Sequence, residues 1–119
     1  MNSDGDNTYI PAHRDTTACL ADGSRVYCLS LGASRDFVLC DNSDAGQFDK
    51  AMMSISREWR VGHGDLVALG PATNEALMHA VTREPGNTNM RISVIFRTID
   101  KSFIDLNGKS VLRFSYAEP

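Results

Sequence analysis

Apolar and polar residues alternate along this 119-residue chain in short runs, and each run stops at a cluster of Gly, Asn, Asp or Pro. A period of two sends one set of side chains to a core and the other to solvent, the mark of a half-buried strand. Strands are predicted over residues 9–15, 25–31, 36–40, 54–61, 66–69, 77–81 and 91–97. Turn chemistry at Asp22-Gly23, Gly62-His63-Gly64 and Pro85-Gly86-Asn87 separates them. Near the end, segments 102–106 and 110–114 flank Asn107-Gly108, a residue pair that favours the tight turn of a hairpin. Residues 41–47 form a polar loop of the type that tolerates changes of length. Neither a long helical period nor an internal repeat nor a low-complexity tract occurs. The expected fold class is all-β, an antiparallel double-stranded β-helix (jelly roll). The pattern leaves open whether the first strand of that roll is present.

Composition narrows this further. A chain of 119 residues can bury one core and hardly more, so residues 1–119 are expected to form a single domain. There is no 18-residue apolar run and no basic-then-apolar N-terminus, so neither a membrane helix nor a secretory signal is expected. Cys19, Cys28 and Cys40 are odd in number and lack zinc-like spacing, which predicts reduced thiols in a cytoplasmic or nuclear monomer. A net charge of −3 excludes the broad basic footprint of a duplex binder. A local patch from Arg14, Arg35, Arg57, Arg60 and Arg83 stays compatible with it.

The candidate chemistry lies in three places. His13-Arg14-Asp15 is the first; residues i and i+2 of a strand share a face, so His13 and Asp15 can grip one metal while Arg14 turns away. His79 would arrive from a distant strand. Two imidazoles and one carboxylate are the ligand set of a non-haem Fe(II) site with open positions, although the tripeptide alone has a high false-positive rate. The third is Arg91 to Arg97, where Arg91, Ser93, Ile95 and Arg97 share one face and Ile92, Val94 and Phe96 the other. Either the arginines are solvated on an ordinary half-exposed strand, or the polar face lines a cavity. A guanidinium buried there needs an acceptor, and the carboxylate of a small co-substrate is the best match. Triad and arginine together point to a 2-oxoglutarate-dependent dioxygenase.

Five blocks in order resemble the AlkB-like branch of the Fe(II)/2-oxoglutarate dioxygenases: YIPAHRD at 9–15, VYCLSLGASRDF at 26–37, GHGDLVALG at 62–70, ATNEALMHAV at 72–81 and RISVIFR at 91–97. By position, the resemblance implies that His13, Asp15 and His79 bind Fe(II). Arg91 would take the distal carboxylate of 2-oxoglutarate, with Ser93 on the same face and Arg97 toward the metal end. It also implies O2 as oxidant, succinate and CO2 as products, and hydroxylation of a substrate C–H bond. The substrate expected from the family is an alkylated base in single-stranded DNA or RNA, demethylated with release of formaldehyde. Arg14 and Arg35 are candidates to face such an acidic substrate. The alternatives are a 2-oxoglutarate hydroxylase of a protein or small molecule, and a non-catalytic truncated roll.

The chain departs from the family at several points. No tyrosine stands at the position matching the Asn-x-Tyr pair that the family places on the strand before the metal strand, Thr16-Thr17 stand where acidic residues are common, and Asn74 and Leu77 where glutamine and tryptophan are. The family's upstream lid is missing too, so the chain reads as a trimmed or minimal catalytic core. His63, between two glycines, is expected to serve a turn, and Trp59 to cover a sheet edge.

Overall fold

A computed structural model describes residues 9–16 and 20–100, together with the backbone of 113–117. The described residues contain eight strands: β1 (Ile10–His13), β2 (Val26–Gly32), β3 (Arg35–Cys40), β4 (Ile55–Val61), β5 (Leu66–Leu69), β6 (Met78–Val81), β7 (Arg91–Phe96) and β8 (Arg113–Ala117). They form two antiparallel four-stranded sheets, ordered β1-β6-β3-β4 and β5-β2-β7-β8. The all-β, jelly-roll-like expectation therefore holds, with β8 in the outer place beside β7.

The sequence alternation becomes two layers of core. Phe37, Leu39 and Val81 from one sheet meet Leu69 from the other, with Val61 beside them. On the outer face of the first sheet, Ala12, Val38, Cys40 and Ala80 lie under Met53 and Ile55. β3 is thus apolar on both faces, because residues 41–54 cover the side that would otherwise meet water. Burying each Phe or Leu of this kind contributes about 1.5–3 kcal/mol.

That cover is more ordered than a length-tolerant loop would be. It contains 3-10 turns at Asn42–Asp44 and Lys50–Met52, capped by Asp41, which accepts from Ser43 N–H at 2.9 Å, and Asp49, which accepts from Ala51 N–H at 3.1 Å. Asp44 accepts from Ser54 N–H at 2.8 Å, and Ala12 exchanges backbone hydrogen bonds with Gly46 and Gln47 at 2.8 Å each. The loop thereby pairs with β1 and satisfies its own backbone.

One helix went unpredicted: α1 (Pro71–Ala76), between β5 and β6. Its signal was Pro71 at the first helical position after Gly70, but at six residues it is too short to show a period. Gly32 ends β2 with φ of 87°, and a Cβ there would collide with the Met90 carbonyl oxygen. That close approach lets Gly32 stand in register with Arg91. Most of the hairpin around Asn107-Gly108 lies outside the described residues, as does Cys19. Among the described residues, no helix is long and apolar enough to cross a membrane.

Candidate metal centre and co-substrate pocket

Sheet register, not chain proximity, brings the two histidines together. β1 pairs with β6 so that His13 stands opposite His79, with ring centroids 4.3 Å apart. Cross-strand partners share a face of the sheet, so both rings turn toward the space between the layers. His13 Nδ1 lies 2.8 Å from the Pro11 carbonyl oxygen, which can only accept. The proton therefore sits on Nδ1 and leaves Nε2 as a free lone pair, the form a metal takes.

Asp15 completes the group by a different route from the expected one. β1 ends at His13, so Asp15 lies beyond the ladder and does not reach the site by strand alternation. Its carboxylate nevertheless lies 3.8 Å from His13 Nε2 and 3.6 Å from His79 Nε2. One ligand atom from each of the three residues falls within 4.8 Å of the others. Both Asp15–His distances are too long for hydrogen bonds; the three groups converge without satisfying one another, as donors around a cation do. His79 is largely buried, and burial pushes its imidazole down to about 4; the nearby Asp15 carboxylate opposes that shift, and His13 and Arg97 reinforce it. Its ring is therefore neutral at physiological pH, the state that can ligate.

The same cavity, about 80 Å³, runs from this triad to Cys28, Arg91 and Ser93. Arg91, Ser93 and Ile95 line it, so the cavity reading of the 91–97 strand stands over the solvated one. Arg91 is 3% exposed, donates from Nη2 to Ser30 Oγ at 2.8 Å, and lies beside the Cys28 thiol. Its Nε has no hydrogen-bond partner among the described residues. Burial lowers its affinity for a proton, and Arg35 adds to that. A buried cation held by one serine and a thiol calls for an anion. Arg97, just past β7, reaches the metal end, where Nη2 donates to Asp15 Oδ1 at 3.2 Å.

The other candidates have different surroundings. Arg35 is 1% exposed and donates from Nη2 to the Thr82 carbonyl at 2.7 Å, an interior position. Arg14 is exposed, yet its Nε donates to the Asn74 carbonyl at 2.9 Å and Nη2 to Asn42 Oδ1. His63 Nδ1 accepts from Gly32 N–H at 2.9 Å, the turn role expected of it. Asn74, read only as a departure from the family, is 3% exposed and bonded to Asp15. A larger cleft of about 730 Å³ opens between β4 and β5, lined by the half-exposed Trp59 and by Leu66. It contains none of the ligand candidates.

No family model matches the chain. Curated relatives do: it is similar to the DNA oxidative demethylase ALKBH2 of Mus musculus, at 30% identity over 91 residues, or 76% of this chain and 38% of the mouse protein. The Homo sapiens ALKBH2 gives the same identity over the same length, covering 34% of that protein. The chain spans about a third of the length of the curated relatives it matches.

Proposed function

Because the chain is related to the AlkB-like dioxygenases, we propose that it is an Fe(II)- and 2-oxoglutarate-dependent oxygenase that oxidatively demethylates alkylated nucleobases in DNA or RNA. One observation carries this reading: three convergent donors and a buried arginine line one cavity. His13, Asp15 and His79 would hold Fe(II), with His13 presenting the lone pair of Nε2. Arg91 would bind the distal carboxylate of 2-oxoglutarate, and Ser93, on the same wall, would offer its hydroxyl. Arg97 would steady the Asp15 carboxylate through Oδ1. When bound, the metal and co-substrate supply the oxidising chemistry for a C–H bond, and the chain's part is to orient them and keep the pocket small. The demethylase substrate is carried over from what ALKBH2 is named for.

The test is spectroscopic. Under anaerobic conditions, Fe(II) with 2-oxoglutarate should give a visible charge-transfer band, and His13→Ala, Asp15→Ala and His79→Ala should each abolish it. If all three variants keep the band and the parent's Fe(II) affinity, the metal assignment is wrong. Formaldehyde release from methylated oligonucleotides then separates the nucleobase substrate from a protein or small molecule.

A further inference from the structure

The ladder accounts for two of the three proposed ligands and leaves the third unexplained. His13 and His79 are paired in register, whereas Asp15 lies past the last residue of β1. Its main chain is held instead by a single side chain from α1. Asn74 accepts from the Asp15 N–H through Oδ1 at 3.1 Å and donates from Nδ2 to the Asp15 carbonyl at 3.0 Å. These two bonds copy the exchange that a neighbouring strand would make with Asp15.

Three further observations tie Asn74 to the site. It is 3% exposed, so its side of both bonds is shielded from water. Its own backbone is fixed, with N–H donating to the Gly70 carbonyl at 3.0 Å and the carbonyl accepting from Arg14 Nε at 2.9 Å. The next turn is anchored as well, by Asn42 Nδ2 donating to the Ala76 carbonyl at 3.2 Å. α1 leads directly into β6, which carries His79. Asn74 therefore links the segment bearing the carboxylate ligand to the element that delivers the second histidine.

We propose that Asn74 is a positioning residue for the metal: it stands in for a missing strand partner and fixes the Asp15 backbone so that the carboxylate faces the two imidazoles. This rests on the proposed function, because it presumes that the triad binds a divalent cation. Residues that orient a ligand typically govern metal affinity by about 10- to 100-fold.

Calorimetric titration of the full chain with Mn(II) alone, without turnover, tests it. Asn74→Ala should weaken Mn(II) binding by about 10- to 100-fold, and Asn74→Gln, which keeps both amide functions, should recover part of the loss. Asn74→Asp fills nearly the same volume, so it guards against a variant that fails to fold. It keeps the acceptor and loses the donor, and it should bind Mn(II) more weakly than the parent although its added negative charge favours a cation. Parent-like or tighter binding by Asn74→Asp, or parent-like binding by folded Asn74→Ala, overturns the role of Asn74. A parent that does not bind Mn(II) at all is a different result and sinks the proposed function.

Discussion

Two clusters of charge in this molecule are built on opposite principles. On the surface of the first sheet, Asp36, Lys50, Glu58, Arg60 and Glu84 form a closed network. Lys50 Nζ lies 2.6 Å from both Asp36 and Glu58, and Arg60 donates to Asp36 at 3.2 Å and to Glu84 at 3.0 Å. Asn87 Nδ2 adds a bond to Glu84 at 2.7 Å. Burial pushes the Asp36 carboxyl up, but hydrogen bonds from Lys50 and Arg60 outweigh it and hold the group below its ordinary range. Arg60 does the same for Glu84. In the cavity, by contrast, His13, Asp15 and His79 approach without bonding one another, and the Nε atoms of Arg91 on its wall and of Arg97 nearby are buried without a hydrogen-bond partner among the described residues. A network complete in itself stabilises a surface, while one left incomplete in a low-dielectric interior is poised for a ligand.

The sharpest way to break this contrast is at Arg91. Removing a buried, hydrogen-bonded charge partner costs about 2–5 kcal/mol of binding, so Arg91→Ala should weaken 2-oxoglutarate by well over tenfold while Mn(II) binding persists. Lysine should substitute poorly, because it lacks the planar fork of donors. Arg97→Ala should disturb 2-oxoglutarate affinity less, since Arg97 contacts Asp15 at the metal end. Calorimetry with Mn(II) in place of iron measures both; a reversed order would mean that the two arginines have exchanged roles.

Next in size is an effect of pH on the metal-free protein. The folded state holds His79 at about 4 against an ordinary 6.5, so the unfolded chain takes up this proton first as pH falls. Stability from this residue is whole above about 6.5 and is lost as pH falls toward 4, by roughly 3 kcal/mol. Denaturant melts across that window, in the presence of a chelator, should show the decline, and His79→Gln should flatten it. The lowered carboxyls of Asp36 and Glu84 contribute below that window, losing their share as pH falls through the carboxylate range. A decline that survives in His79→Gln would place its origin elsewhere.

The smallest effect belongs to the satisfied cluster. Arg60 is half exposed, and exposed ion pairs contribute about 0–1 kcal/mol even where their geometry is good. Arg60→Ala should shift the melting curve slightly and leave Mn(II) and 2-oxoglutarate affinity as in the parent. A large loss of either affinity would show that the two clusters are coupled.

Local pattern carried much of this molecule. Short apolar runs over residues 26–31 and 36–40 and the turn residues between them were enough to place β2 and β3. The candidate ligands His13, Asp15 and His79 and the candidate anion partner Arg91 could be named from the sequence, since few residue types bind iron or clamp a carboxylate, and the structure brings all four to one cavity. Three features were decided only by long-range pairing. β1 stops at His13 because it runs out of ladder with β6, so Asp15 needed an outside holder, and no local rule names Asn74 for that task. Arg35, which reads as a surface cation, is buried because β3 lies between β6 and β4. Arg91 became an anion seeker once β2 set Ser30 against it and the opposite sheet closed the cavity. Parity along a strand belongs to the sequence; what a side chain faces belongs to the partner strand, and residues far apart in the chain settle that together.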